Sequence, residues 1–211
     1  MTRRGPLLTL FAVGVLALAL LAGNVVRGAG PDLAAQQGPE PPPANAPPGP
    51  FPAEAVYTGR SSGDEVTVAI AVRGGRAAAY VCDGASVEVW LDGAVNGPTL
   101  TLARDAARIT ANPDGTDAVF GRVRVDGRDR PYTAQIAPPP AGLYEGRQAG
   151  SGGADTRVGW IVLPDGDVVG VLDSGGDTRP APALDLDRGG ATVDGTFVPA
   201  EPVSGDRDVT G

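Results

Sequence analysis

Glu65-Val66-Thr67-Val68-Ala69-Ile70-Ala71-Val72 is the stretch from which the fold reads. Val66, Val68, Ile70 and Val72 fall on one side of a two-residue period, and Glu65, Thr67, Ala69 and Ala71 on the other. Alternate residues of an extended chain point to opposite faces, so the pattern predicts a β-strand with one face in a core. Gly74-Gly75 follows at once, and glycines tolerate the positive φ of a tight hairpin turn.

The same grammar continues along the chain. Ser86 to Leu91 alternates Val87, Val89 and Leu91 against Ser86, Glu88 and Trp90. Leu100 and Leu102 alternate with threonines; Val119, Val123 and Val125 alternate with Phe120, Arg122 and Arg124. Val158, Trp160 and Val162 continue the pattern, with Trp160 reading as core, and Leu184 and Leu186 alternate with aspartates to predict a further strand. Turn dipeptides punctuate these runs at Asp83-Gly84, Asp92-Gly93, Asn96-Gly97, Asp114-Gly115, Asp126-Gly127, Asp165-Gly166 and Asp194-Gly195. Only the short Ala103 to Ile109 offers a rival helical reading. The expectation is an all-β fold, an antiparallel meander of about ten to twelve strands forming a barrel or two packed sheets.

A degenerate repeat runs through it. Tyr57-Thr58-Gly59-Arg60 echoes Tyr144-Glu145-Gly146-Arg147, Val72 to Gly75 echoes Leu163 to Gly166, and Leu100 to Arg104 echoes Leu184 to Arg188. Pro138-Pro139-Pro140 separates half-repeats at about 54–137 and 141–205. The echo predicts an ancient duplication, although any meander rich in glycine and valine resembles itself.

The β-pattern starts only at about residue 54. Arg3 and Arg4 open the chain in a cytoplasmic stretch, residues 1–4, and no charge follows until Arg27. Residues 5–26 reach about 33 Å as a helix, enough for a hydrocarbon core of about 30 Å. They are expected to be one N-terminal transmembrane helix, a signal-anchor whose partner is the lipid bilayer. The competing reading is a cleaved signal peptide and a freely secreted protein, but small residues at a cleavage site are poorly placed here. Paired arginines before the span keep the N-terminus in the cytoplasm. Residues 27–53 form a Pro-rich extracytoplasmic linker, with Pro41-Pro42-Pro43 and Pro47-Pro48 favouring an extended spacer. Residues 54–205 are the extracytoplasmic β-domain and 206–211 are expected to be a flexible tail.

Composition excludes much chemistry. The 211 residues contain no histidine, and all 17 basic residues are arginine. Serine triads, imidazole metal sites, lysine Schiff bases and P-loops are therefore out of reach. Absent lysine beside abundant arginine, alanine, glycine and proline fits the coding bias of a GC-rich bacterial genome. One cysteine, Cys82, excludes an intrachain disulfide or a CxxC centre. The net charge of −8 argues against nucleic acid. The imbalance sits in residues 54–211, where 14 arginines face 23 acidic residues.

Carboxylates, hydroxyls and arginine remain. Asp173-Ser174-Gly175 after Val171-Leu172 has the local form of an aspartic-protease motif, but the first half has Cys82-Asp83-Gly84 at the matching place, and a hairpin turn explains it better. Asp165/Asp167 and Asp185/Asp187 are Asp-x-Asp pairs without a calcium-loop framework. Glu65, Glu88 and Glu145 are the glutamates in or beside strands from which a glycosidase pair would have to come. Trp90 and Glu88 share one strand face; either they form a ligand or partner contact, or that face meets a second layer and Trp90 is core. Cys82 reads as a small buried hydrophobe or as an intermolecular thiol.

No catalytic residue, cofactor or metal is expected from these features. The expected function is a non-enzymatic binding or scaffold module at the bacterial cell envelope, single-pass with its C-terminal domain outside and an envelope protein or glycan as partner. A carboxylate-based hydrolase of glycans or peptides is the alternative.

Overall fold

The computed structural model describes residues 50–115, 117–150 and 154–210. The expectations for residues 1–4 and 5–26, and for nearly all of the 27–53 linker, lie outside the described residues. Among the described residues no helix is long and apolar enough to cross a membrane, and every regular element is a strand.

Eight antiparallel strands form the first sheet: β1 (Glu54–Ser61), β2 (Thr67–Arg73), β3 (Arg76–Cys82), β4 (Glu88–Ala94), β5 (Leu100–Arg104), β6 (Ala107–Pro113), β7 (Ala118–Val125) and β8 (Arg128–Ile136). Their order is β4-β3-β2-β1-β8-β7-β6-β5. The β1–β8 pairing, with Tyr57 opposite Ile136, joins two hairpin series. The two edges, β4 and β5, curl towards each other into a nearly closed barrel. A Cβ on Gly93 would stand 3.0 Å from Leu102 Cδ2 across this seam, and an Asn96–Thr99 bridge closes its far end. Curling needs places where backbones approach. At Gly59 and Gly121 a side chain would run into the main chain of the neighbouring strand, which reserves those positions for glycine.

The second sheet uses β9 (Gly142–Gln148), β10 (Thr156–Val162), β11 (Val168–Ser174) and β12 (Asp177–Pro180); a hairpin of β13 (Gly190–Val193) and β14 (Thr196–Pro199) follows, and β15 (Glu201–Pro202) returns to the sheet. Its order is β12-β11-β10-β9-β15. The four strands β9–β12 therefore succeed one another as β1–β4 do.

Three apolar clusters bind the layers. Val68, Ile70, Val72, Leu91, Leu102, Ile109 and Val123 fill the barrel interior. Ala69, Ala78, Tyr80, Cys82 and Trp90, on the outer face of β2–β4, pack against Leu143, Ile161 and Val171 of the second sheet. Val158, Trp160 and Leu172, on the far side of that sheet, are covered by Ala191, Val193 and Val198 of the β13–β14 hairpin. β2 and β3 are thus buried on both faces, which is why their small residues are alanines rather than polar groups.

Four local expectations differ from the structure. Asp92-Gly93 is not a turn but lies inside β4, where Gly93 gives Leu102 room at the seam. Leu184 to Asp187 is not a strand. Asp185 accepts the Arg188 amide at 2.9 Å and exchanges main-chain bonds with Gly190, so the carboxylate supports a tight loop. Residues 206–210 hold to the domain, because Val209 is fully buried. The strand count rises to fifteen because β13, β14 and β15 are too short to show a period. Of the other turn dipeptides, Asp126-Gly127, Asp194-Gly195 and Gly74-Gly75 have positive φ at both positions, as tight hairpins need, and the remaining four have it at the glycine alone.

Candidate functional site

The β4–β5 seam opens at one end into a cleft of about 510 Å³. Its walls come from the start of β4 (Glu88, Trp90), the β5–β6 turn (Arg104, Asp105), the β7–β8 turn (Asp126, Gly127) and the second sheet (Arg157 on β10, Asp173 on β11). The cleft exists because β4 and β5 are the only neighbouring barrel strands without a ladder between them. Closed near Gly93, they splay towards Glu88 and Arg104.

Register builds the back wall. Tyr80 and Trp90 are cross-strand partners on β3 and β4, with ring centroids 4.1 Å apart. β10 passes over them at Gly159, the one position where it can come so close. A Cβ there would overlap the Tyr80 ring and stand 2.7 Å from Trp90. Two residues earlier, Arg157 lays its guanidinium 3.9 Å from the Trp90 ring centroid. Trp90 is therefore held between an aromatic ring and a cation, 5% exposed. Such cation–π contacts gain strength where water is excluded.

Arg157 is in turn fixed by Glu145, the most buried carboxylate among the described residues, at 1% exposure. Its Nε stands 2.6 Å from Glu145 Oε1, and an Nη–H donates to the Val209 carbonyl at 2.9 Å. Arg147 reaches the same carboxylate at 2.9 Å and Arg207 at 3.2 Å. Burial works against the charge of Arg157, and Glu145 offsets it. The carboxylate ties β9, β10 and the C-terminal segment together behind the cleft.

Glu88 is held differently. Its Oε1 accepts the Trp90 indole N–H at 2.6 Å, while its Oε2 is enclosed with no hydrogen-bond partner among the described residues. Burial pushes its carboxyl up to about 7; the Trp90 bond and Arg157 oppose the rise, and Asp173 and Glu145 add to it. An enclosed oxygen without a donor favours the protonated form.

The structure thus brings Trp90 and Glu88 together in the wall of one cleft, with Trp90 also part of the core between the layers. Cys82 lies opposite Glu88 in the β3–β4 register but inside that core, fully buried, and burial pushes its thiol up to about 12. Of the other acidic candidates, Asp173 lines the same cleft and the rest sit apart. Asp165 accepts the Asp167 amide in the β10–β11 turn, Asp167 pairs with Arg60 at 2.8 Å, and Asp173 caps its own hairpin through the Gly176 amide at 2.6 Å. Glu65 accepts the Ser61 hydroxyl at 2.8 Å. Among the described residues no group of three or more acidic or cysteine side chains could hold a metal ion.

Sequence reading missed Arg157 and the role of Glu145. The only signal was a strand glycine near each on neighbouring strands, Gly146 next to Glu145 and Gly159 two residues after Arg157. Comparison with protein-family models, with curated proteins and with solved structures finds no match to this chain.

Proposed function

We propose that this chain is a non-enzymatic binding module of the bacterial cell envelope, anchored through residues 5–26, with the cleft at the barrel seam as its ligand site. One observation carries the reading: the cleft wall is assembled before any ligand arrives. Trp90 is clamped by Tyr80 and Arg157, Arg157 by Glu145, and Glu88 by the Trp90 indole. Sites fixed in this way lose little entropy on binding.

The lining favours ligands that offer hydrogen-bond donors. Three carboxyl groups, Asp105, Asp126 and Asp173, outnumber two guanidiniums, and Arg157 is already engaged; Glu88 has one oxygen taken by Trp90 and the other enclosed. An envelope glycan or peptide bearing hydroxyl and amino groups fits that balance. Titration of the chain with amino-sugar oligosaccharides and with short envelope peptides, followed by calorimetry, tests it. Binding that D173N and D126N both weaken at least tenfold supports the site; affinity equal to the parent chain's in both variants removes it. Processing of the N-terminus near residues 28–35 would make the module a secreted one without altering the cleft. The shared strand succession of β1–β4 and β9–β12 supports origin by duplication, diverging after the fourth strand.

A second reading has its own observation. Glu88, raised to about 7 beside Asp173 in a cleft, has the character of a general acid next to a carboxylate, the arrangement glycosidases use. A panel of envelope glycans and peptides assayed between pH 4 and 8 decides it. Absence of turnover throughout eliminates the hydrolase.

A further inference from the structure

The β6–β7 wall of the barrel, outside the apolar cluster that joins the two sheets, carries a charge pattern that folding does not require. On β6 and β7 the inward residues are Ile109, Ala111, Val119 and Val123, all buried. The outward residues alternate with them. In register, Arg108 stands opposite Arg124, Thr110 opposite Arg122, and Asn112 opposite Phe120. Arg108, Arg122, Arg124 and Phe120 are all exposed. Like charges directly opposite in an antiparallel pair destabilise it. The chain could relieve this, since residues 54–211 hold 23 acidic side chains, yet only Arg124 has an acidic partner, Asp129 at 3.0 Å. Arg108 and Arg122 make no ion pair with a described residue. Three guanidiniums thus gather on one uncovered face of an otherwise acidic domain, and Phe120 continues the row, 48% exposed.

We propose that this β6–β7 face docks on an anionic phospholipid surface. Charge complementarity selects an anion, and a guanidinium matches phosphate oxygens in a two-pronged geometry. Shape selects a plane over a polymer strand. The outside of a barrel is convex, so it touches a flat sheet of headgroups but offers no groove to a chain. Phe120 supplies the aromatic ring that settles at the headgroup boundary. In register Phe120 stands opposite Thr133, and Thr133 opposite Arg60 of β1. The acidic remainder of the domain is held off by the same surface, and charges farther than about 8 Å are screened at physiological salt. Three arginines hold weakly alone; the tether raises their local concentration. The docking strength, though not the face itself, rests on the anchor reading.

The full chain is reconstituted with vesicles of phosphatidylcholine, and with vesicles that also contain phosphatidylglycerol, each carrying brominated acyl chains. F120W reports contact, because Trp90 and Trp160 are enclosed and give a constant background measured on the parent chain. Quenching of the F120W signal should be several-fold greater with phosphatidylglycerol, fall at high salt, and vanish in R108E/R122E/R124E. Flotation with pure phosphatidylcholine reports the anchor separately. Should the chain not float there, docking is read as flotation that needs phosphatidylglycerol and is lost in the triple variant. R108Q/R122Q, checked for native circular dichroism, guards against misfolding of the charge reversal and should lose most of the effect. Quenching indifferent to lipid charge or to both arginine variants overturns the proposal. So does salt-sensitive binding of soluble polygalacturonate through these arginines without any response to phosphatidylglycerol.

Discussion

The guanidinium of Arg157 stacks on the ring of Trp90, 3.9 Å from its centroid, and through this contact the second sheet grips the barrel. Arg157 could not lie there unpaired. Glu145, at 2.6 Å, supplies the countercharge from a site closed to solvent. A buried carboxylate that answers three arginines is a case where removing one partner leaves uncompensated charge. E145Q should cost about 3 kcal/mol, the lower end for broken buried pairs, since Arg147 and Arg207 can turn to water. R157M keeps an apolar cover on Trp90 and leaves Glu145 two partners, so it should cost about 1–2 kcal/mol. Urea midpoints at unchanged m decide. An E145Q midpoint equal to that of the parent chain would show that the cluster contributes nothing to stability.

Gly159 sets how close the two layers come. An added methyl would overlap the Tyr80 ring and crowd Trp90, and both rings are fixed by their neighbours. G159A should therefore destabilise by about 1–3 kcal/mol or more, the cost of overpacking a filled core. In Y80V the obstructing ring is gone, so G159A in that background should cost clearly less. A double-mutant cycle reads the coupling. Additive losses would place the damage in the β10 backbone instead of at Tyr80.

The barrel was readable because its strands obey one rule. Val119, Val123 and Val125 alternate with polar groups since β7 has one wet face, and Asp126-Gly127 can only be a turn between such strands. The second layer was less readable. Ala69, Ala78 and Tyr80 look like the weak side of half-buried strands, and nothing local says that β9–β11 will cover them. Trp90 illustrates the limit: on a face with Glu88 it admits a surface or a core reading, and only the arrival of β10 decides. The candidate site depends on that same long-range packing. Arg157 and Glu145 are ordinary polar strand residues in sequence, and the cluster draws on β9, β10 and the C-terminal segment.

Glu88 makes stability depend on pH in a direction opposite to most carboxyls. Its folded value, about 7, lies above the ordinary 4.5. Between those values the folded chain binds more protons than the unfolded one, so this group's contribution falls as pH rises through the window. The penalty is absent below about pH 4.5 and complete above about pH 7, reaching about 3 kcal/mol at most. E88Q keeps an acceptor for the Trp90 indole and cannot ionise. The difference in melting temperature between E88Q and the parent chain should therefore widen from pH 4.5 to 7 in favour of the variant. Asp83 and Asp206, whose values are lowered, act at lower pH in both proteins and cancel from the comparison. A difference that stays flat across the window refutes the raised value.

Cys82 should be silent until the layers part. It is fully enclosed between Tyr80 and the second sheet, and burial lifts its thiol from 9.0 to about 12. Only the thiolate attacks a disulfide reagent, and at pH 8 a thousandfold smaller fraction is ionised than for an ordinary exposed thiol. Enclosure adds a steric barrier, so in native buffer labelling has to wait for an opening event. Its rate should rise with urea in step with global unfolding, because Cys82 belongs to the contact between barrel and second sheet rather than to an edge. G159A should accelerate labelling only as much as a surface substitution of equal cost, because both act through the same global opening. A folded chain should also run as a single-chain species without reducing agent. Labelling within seconds at zero denaturant, or a disulfide-linked dimer of folded chain, would mean that the layers open locally at Cys82 and that the thiol can meet a second chain.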